Sequence, residues 1–368
     1  MLTLDATVDE LQEKITKKNR SRSIKLDDNQ KHVVNDLRAL NKSTVSGREY
    51  LATLASSSGR STIHGRGSAA VPLGCARKDV EAGSSHGAGL RLMTHDFMKD
   101  GNLSLLSDSG YGNDSTLKSI IASVATDPKN WECVVCDGSH DYRIMDRLRQ
   151  LNTPAGPTID EMSKFIGNDD GGKYAWLPGT RATNVTLSDN NAYDLMKILA
   201  ELDKRLSVLA GQNNDGIRDI RDVHGLESIK NILLIVDVGS GFASCQNGNI
   251  LRKIAGGSSI KARVFTVFTG QPKSERTYKY QVWYSINDWI PNTVFNGYID
   301  PSTLSKNGYC KPESDAYKIM AHVSRTYRTS LLTSGGDVKA FMTPTLDPDV
   351  VSKAIQPWCW QPSSMVNE

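Results

Sequence analysis

Three stretches carry residue types and spacings suited to chemistry. The first is Asn231-Ile-Leu-Leu-Ile-Val-Asp-Val-Gly-Ser-Gly-Phe-Ala243. Its aliphatic run is interrupted only by Asp237 and meets two glycines at once. A run this short and this apolar suits a strand buried on both faces. Gly239 and Gly241, with Ser240 between them, permit a tight turn and a close approach of ligand to backbone. Asp237 falls at the carboxyl end of the strand, where open α/β sheets bind ligands. A buried strand with an ordinary glycine turn fits the same residues. The second stretch, Trp131-Glu-Cys-Val-Val-Cys-Asp-Gly-Ser-His-Asp-Tyr142, is another apolar strand ending in an acid and a glycine. Asp137 there also suits a turn that caps a following helix. Cys133, Cys136 and His140 have zinc-like spacing, but no second cysteine pair exists. Strand alternation sends the two cysteines to opposite faces, so no metal site is expected. The third is a set of charged residues late in the chain, Asp300, Lys339 and Glu368.

The elements that must hold these residues alternate. Residues 5 to 40 read as helical, with Val33, Val34, Leu37 and Leu40 on one face. Lys17 to Leu26 is a basic run, either a solvated face or a contact for an RNA backbone. Residues 55 to 90, rich in Ser, Gly and Ala, read as a long mobile loop or several short connections. Ala192 to Leu209 carries a clear apolar stripe at helical spacing. Arg263 to Phe268 and Tyr280 to Tyr284 read as strands, Glu313 to Leu332 as a helix ended by Gly335-Gly336, and Asp337 to Met342 as a strand. This pattern predicts an α/β class with a mainly parallel sheet flanked by helices, preceded by a helical arm. The expected divisions are a basic arm and Ser/Gly-rich region over 1–125, an α/β unit over 126–215, and a second α/β domain over 216–368.

Composition sets bounds. The chain has 368 residues, 44 basic and 41 acidic, for a formal charge of +3. A charge this small leaves nucleic-acid contact to local patches. Six scattered cysteines suggest free thiols in a reducing compartment. No secretory signal and no apolar run long enough for a membrane span are evident, so a cytoplasmic location is expected. Gly-x-x-x-x-Gly-Lys-Ser/Thr does not occur, which leaves a P-loop reading without motif support.

Val236-Asp-Val-Gly-Ser-Gly241 resembles the first cofactor loop of class I S-adenosylmethionine-dependent methyltransferases. Ala316 to Leu332 followed by Ser334-Gly-Gly-Asp-Val-Lys339 is similar to the FtsJ-like and viral cap ribose methyltransferases. The resemblance covers about residues 225 to 368 and implies a Rossmann-like fold binding S-adenosylmethionine through Asp237, Gly239, Ser240 and Gly241. It implies a Lys-Asp-Lys-Glu tetrad acting on a ribose 2′-hydroxyl, with Asp300, Lys339 and Glu368 in three places and Lys25 a candidate for the first lysine. Asp137 competes with Asp300 for the fourth-strand acid, and the choice would make the fold permuted or duplicated. Taken alone, Asp300 also suits a turn before Pro301, Lys339 a solvated edge and Glu368 a chain end.

The expected function is therefore an RNA-directed methyltransferase, with mRNA capping as its setting. The rival from another class is a non-enzymatic nucleic-acid-binding or viral coat or nucleocapsid protein, motivated by the basic arm and the Ser/Gly-rich loop, and implying a homo-oligomer or viral assembly. A methyltransferase fold kept as an inactive scaffold is the third.

Overall fold

The computed structural model describes residues 24–42, 50, 69–77, 90–107, 113–125, 127, 129–137, 185–188, 191–212, 216–237, 245–270, 290, 292–306, 309–323, 329–334 and 336–343. In chain order the elements are α1 (Asp28–Asn41), β1 (Ala70–Arg77), β2 (Leu90–Asp96), α2 (Phe97–Asp100), β3 (Leu103–Ser107), α3 (Asn113–Ala125), β4 (Trp131–Asp137), β5 (Val185–Leu187) and α4 (Asn191–Ala210). They continue with β6 (Asn231–Asp237), α5 (Cys245–Ile254), α6 (Ser258–Lys261), β7 (Val264–Gly270), β8 (Asn292–Asn296), α7 (Pro301–Lys306), α8 (Asp315–His322), β9 (Thr329–Ser334) and β10 (Asp337–Met342).

All ten strands join one sheet in the order β2-β1-β10-β9-β8-β3-β7-β6-β4-β5. From β8 to β5 every pairing is parallel. From β8 to β2 every pairing is antiparallel. The α/β class stands, but the sheet is mixed, and it takes strands from every part of the described chain. The antiparallel half has a local cause. Thr329–Ser334, expected as the end of a long helix, is a β-branched and buried strand, and Gly336 turns it back on itself at φ 94°. That is a hairpin, for which a positive-φ glycine is a ready corner. Helix α8 stops at His322, and its last backbone bond runs from Val323 N–H to the carbonyl of Met320. Strand β1 lies inside the stretch read as a mobile loop, because Ala, Gly and Cys there pack as small core residues.

Strand alternation divides the core into two layers. Leu103, Leu105, Leu233, Ile235, Phe265 and Val267 face one layer with Ile120, Ile121 and Val124 of α3. Leu106, Leu234, Val236 and Phe268 face the other, against α1, α4, α5 and α8. Each such side chain contributes about 1.5–3 kcal/mol when fully withdrawn from water. Helix α1 is fixed at its start by Asp27, whose carboxylate accepts from the Gln30 amide at 2.8 Å. Gln30 also donates from its side chain to Asp315 at 2.8 Å, tying α1 to α8. Among the described residues no helix is long and apolar enough to cross a membrane.

The turn after β2 holds a buried titratable group. His95 is fully buried, with its ring edge-on to Phe97 at 4.9 Å. Its Nε2 donates to the Gly101 carbonyl at 2.7 Å, which leaves Nδ1 3.8 Å from Asp100 and without a hydrogen bond. Burial depresses its pKa, and the Gly101 bond and the charges of Asp100 and Asp96 only partly oppose that. A folded-state pKa below the unfolded value of 6.5 means that the folded chain binds the proton less readily. Stability should therefore fall as pH drops through about 6.5, by at most about 1.4 kcal/mol per pH unit. Urea midpoints measured from pH 7.5 to 5.5 should show this slope reduced in His95→Gln; an unchanged slope would assign the acid sensitivity to other groups.

Candidate functional site

The parallel strands end together at one edge of the sheet. Strand β3 is the point where the chain changes direction across that sheet. After β3 the chain runs to β4, works back through β6 to β7 beside β3, and then crosses to β8 on the other side. In an open α/β sheet a crevice forms at the carboxyl end of such a strand. Strand β3 is Leu103-Ser-Leu-Leu-Ser107, buried along its length. After five linking residues α3 begins at Asn113 and runs thirteen residues. The linking residues, Asp108-Ser-Gly-Tyr-Gly112, lie outside the described part. The first amides of a helix have no intrahelical partner, so the start of α3 offers donors that suit an anion.

Two strands from β3 lies β6. Its register runs Asp237 to Thr269 of β7, and Thr269 to Leu105 of β3. The end of β6 therefore stands at the same sheet edge as the end of β3, about 10 Å across the sheet at two strand spacings. Asp137, at the end of β4, is in register with Asp237. The other side of β3 is polar and buried. Asn296 ends β8, and its Oδ1 accepts from Thr116 of α3 at 3.2 Å and from Ser330 of β9 at 2.6 Å.

The remaining residues singled out by sequence are dispersed. Lys339 is exposed on β10 opposite Leu332, which pairs with Val294. It lies five strand spacings from Asp237, about 24 Å along the sheet, and the structure does not bring the two together. Asp300 follows β8 and serves the turn into α7, accepting from the amide of Ser302 at 2.7 Å and from its hydroxyl at 2.5 Å. Lys25 is exposed ahead of α1. Gly239, Ser240, Gly241 and Glu368 lie outside the described residues, as do the expected strand at Tyr280 and the basic run up to residue 23. Cys133 and Cys136 do face opposite layers of the core. Burial raises both thiols, Cys136 to about 12, which keeps them protonated and inert. No group of residues with metal-ligand character occurs among the described residues.

No protein-family model and no curated protein matches the chain. Solved structures do. The ATPase 2 and 3 portion of EccC from Thermomonospora curvata, solved with a signal sequence peptide, matches at TM-score 0.51 and 12% identity over 79% of this chain. The ATPase 2 and 3 portion of EssC from Geobacillus thermodenitrificans matches at TM-score 0.50 and 11% identity over 78% of it. This chain spans about half of each, 47% and 48%. At such identity the likeness establishes the fold.

That fold overturns the methyltransferase resemblance. Gly336, before Lys339, is a corner between the paired strands β9 and β10 rather than a helix end. Strand β6, which precedes Gly239 and Gly241, lies between β7 and β4, two strands from the reversal of the chain at β3. The expectations of S-adenosylmethionine, of RNA methylation and capping, of an inactive methyltransferase scaffold and of a coat or nucleocapsid protein are corrected together. The sequence reading also passed over β3 and α3. Their signal was present in Leu103-Ser-Leu-Leu-Ser107, the glycines at 110 and 112, and Leu117, Ile120, Ile121 and Val124 at helical spacing.

Proposed function

We infer that the chain is a nucleotide-binding domain, taking the phosphates of a nucleoside triphosphate at the β3–α3 junction with a magnesium ion beside Asp237. The observation that carries this is the succession of strand β3 and helix α3, joined by a sequence with two glycines, at the strand where the path of the chain across the sheet reverses, in a fold similar to that of ATPases. Oxygen donors suit that ion, and the acid at the end of β6 is of the right kind, two strands from the loop. The bound nucleotide would supply the phosphoanhydride chemistry, while the amides at the start of α3 hold its charge.

The loop departs from the usual phosphate-binding pattern, and the departures set its properties. Aligned on Gly112, Ser107-Asp-Ser-Gly-Tyr-Gly-Asn-Asp114 takes the place of Gly-x-x-x-x-Gly-Lys-Ser/Thr, with Ser107 at the first glycine's position. Gly112 matches the second glycine. Asn113 stands where the lysine would reach the terminal phosphates, and Asp114 where a hydroxyl would hold magnesium. A loop without its cation stabilises the phosphates less, and Val238 after Asp237 leaves β6 with no second acid. The domain should therefore bind weakly and turn over slowly, with occupancy rather than hydrolysis as its working output.

Titration with a fluorescent ATP analogue should show magnesium-dependent saturation, and S-adenosylmethionine should not compete. Asn113→Lys should tighten binding about 10- to 100-fold, since one hydrogen bond to a charged group is worth about 1.5–3 kcal/mol. Lack of saturation at millimolar nucleotide in both wild type and Asn113→Lys would reject the reading.

A further inference from the structure

A line of buried hydroxyls joins the first turn of α3 to the far half of the sheet. Thr116, fully buried, donates to Asn296 and lies 3.1 Å from Oγ1 of Thr343, just past β10. Thr343 Oγ1 in turn donates to the Leu73 carbonyl of β1 at 2.7 Å. Each hydroxyl has one proton. That of Thr343 goes to Leu73, and Thr116 Oγ1, which touches both Asn296 and Thr343, links α3 to β8 and to the end of β10.

Strand β1 is built to receive such a signal. Its pairing with β2 is irregular between Pro72 and Gly74, and a bulge there leaves carbonyls for side-chain donors. Besides Thr343 on Leu73, Ser119 of α3 donates to the Pro72 carbonyl at 3.0 Å while bonded to Tyr50 at 2.5 Å. Among the described residues a single registered pair, Cys75 with Met342, joins β1 to β10. A Cβ on Gly74 would meet the Met342 carbonyl at 2.3 Å, so the two backbones are already in closest approach. The β1–β2 hairpin is thus held to α3 by hydroxyls and to the rest of the sheet by a short ladder.

We propose that Thr116, Asn296 and Thr343 are positioning residues that couple phosphate binding at the start of α3 to the β1–β2 hairpin. This rests on the nucleotide reading above. Anion binding to the α3 amides shifts the helix, the contacts of Thr116 with Asn296 and Thr343 and of Ser119 with Pro72 shift with it, and the hold on Leu73 and Pro72 changes. The hairpin becomes the element that reports occupancy.

Hydrogen exchange by mass spectrometry on the full chain, with and without magnesium and a non-hydrolysable ATP analogue, tests this. In the wild type, exchange over residues 70–77 should change about threefold or more on binding, a local shift in opening. Thr343→Val should bind the analogue within about twofold of wild type yet lose that change, and Thr343→Ser should restore it. A merely structural threonine would lower the melting temperature without altering the ligand-dependent difference. Analogue binding with no response at 70–77, or a response retained in Thr343→Val, overturns the coupling and leaves nucleotide binding intact. If the wild type binds no analogue, the nucleotide reading fails and the coupling with it. The wild-type comparison decides even if Thr343→Val does not fold.

Discussion

Asp219→Ala is expected to lower the unfolding free energy by about 3–5 kcal/mol, because it strands a buried guanidinium. Arg263 is only 2% exposed, and its Nε and Nη2 donate to the two oxygens of Asp219 at 3.0 and 2.9 Å. Its Nη1 donates to the Asn231 side chain at 3.1 Å. Asp219 also caps the 3₁₀ turn at Ile220–Asp222, accepting from the Arg221 amide at 2.7 Å. Burial pushes its pKa up, but the bonds from Arg263 and from the Arg221 amide, with the charges of both arginines, outweigh that and hold the carboxyl below its ordinary range. The pair therefore adds stability at neutral pH that is lost as pH falls through the folded-state pKa. Arg263 carries a left-handed backbone at φ 56°, a strained state for a residue with a Cβ, and its carbonyl accepts from the amide of Ile232 at 2.9 Å. The ion pair thus fixes the amino ends of β6 and β7, and through their register the position of Asp237 at the other end. Guanidinium unfolding should show the loss in Asp219→Ala, whereas the double replacement Asp219→Leu with Arg263→Met should recover most of it. A loss under about 1 kcal/mol in the single variant would mean that water satisfies Arg263 and that the pair does not hold this end of the sheet.

Local signals were legible in the sequence where an element is both long and patterned, and topology was not. Strand β6, helix α4 and strand β10 fall where hydrophobic pattern put them, since each has an unbroken apolar run or stripe bounded by polar or glycine residues. Helix α8 was read too long because Tyr327, Leu331 and Leu332 continue a helical spacing with the residues before them. Tertiary pairing decided otherwise, placing Leu331 and Leu332 on opposite faces of β9. Strand β3 is five residues with serines at positions 104 and 107, too short and too mixed to stand out. Its importance comes from lying between β7 and β8, a fact about strand order that no local pattern contains. Asp237 stood out in the sequence from its place at a strand end. What lies beside it depends on which strand is its second neighbour, and that is a matter of strand order.

That dependence makes Asp237→Asn the second decisive variant. The substitution keeps shape and strand propensity and removes one charge. On the nucleotide reading it should weaken magnesium-dependent binding about 10- to 100-fold, the worth of one hydrogen bond to a charged group. Binding without magnesium should stay equal or improve slightly, because the removed charge repels phosphate. Asp137 sharpens the test. It ends the neighbouring strand in register with Asp237, about 4.8 Å away between strands. Like charges on adjacent strands destabilise each other unless a cation lies between them. Magnesium should therefore raise the melting temperature of the wild type more than that of Asp237→Asn, and Asp237→Asn should be the more stable of the two in chelator. Equal magnesium responses in both, with unchanged nucleotide affinity, would place Asp237 outside the ion's reach, and the edge beside β3 would then have to bind its anion through the amides of α3 alone.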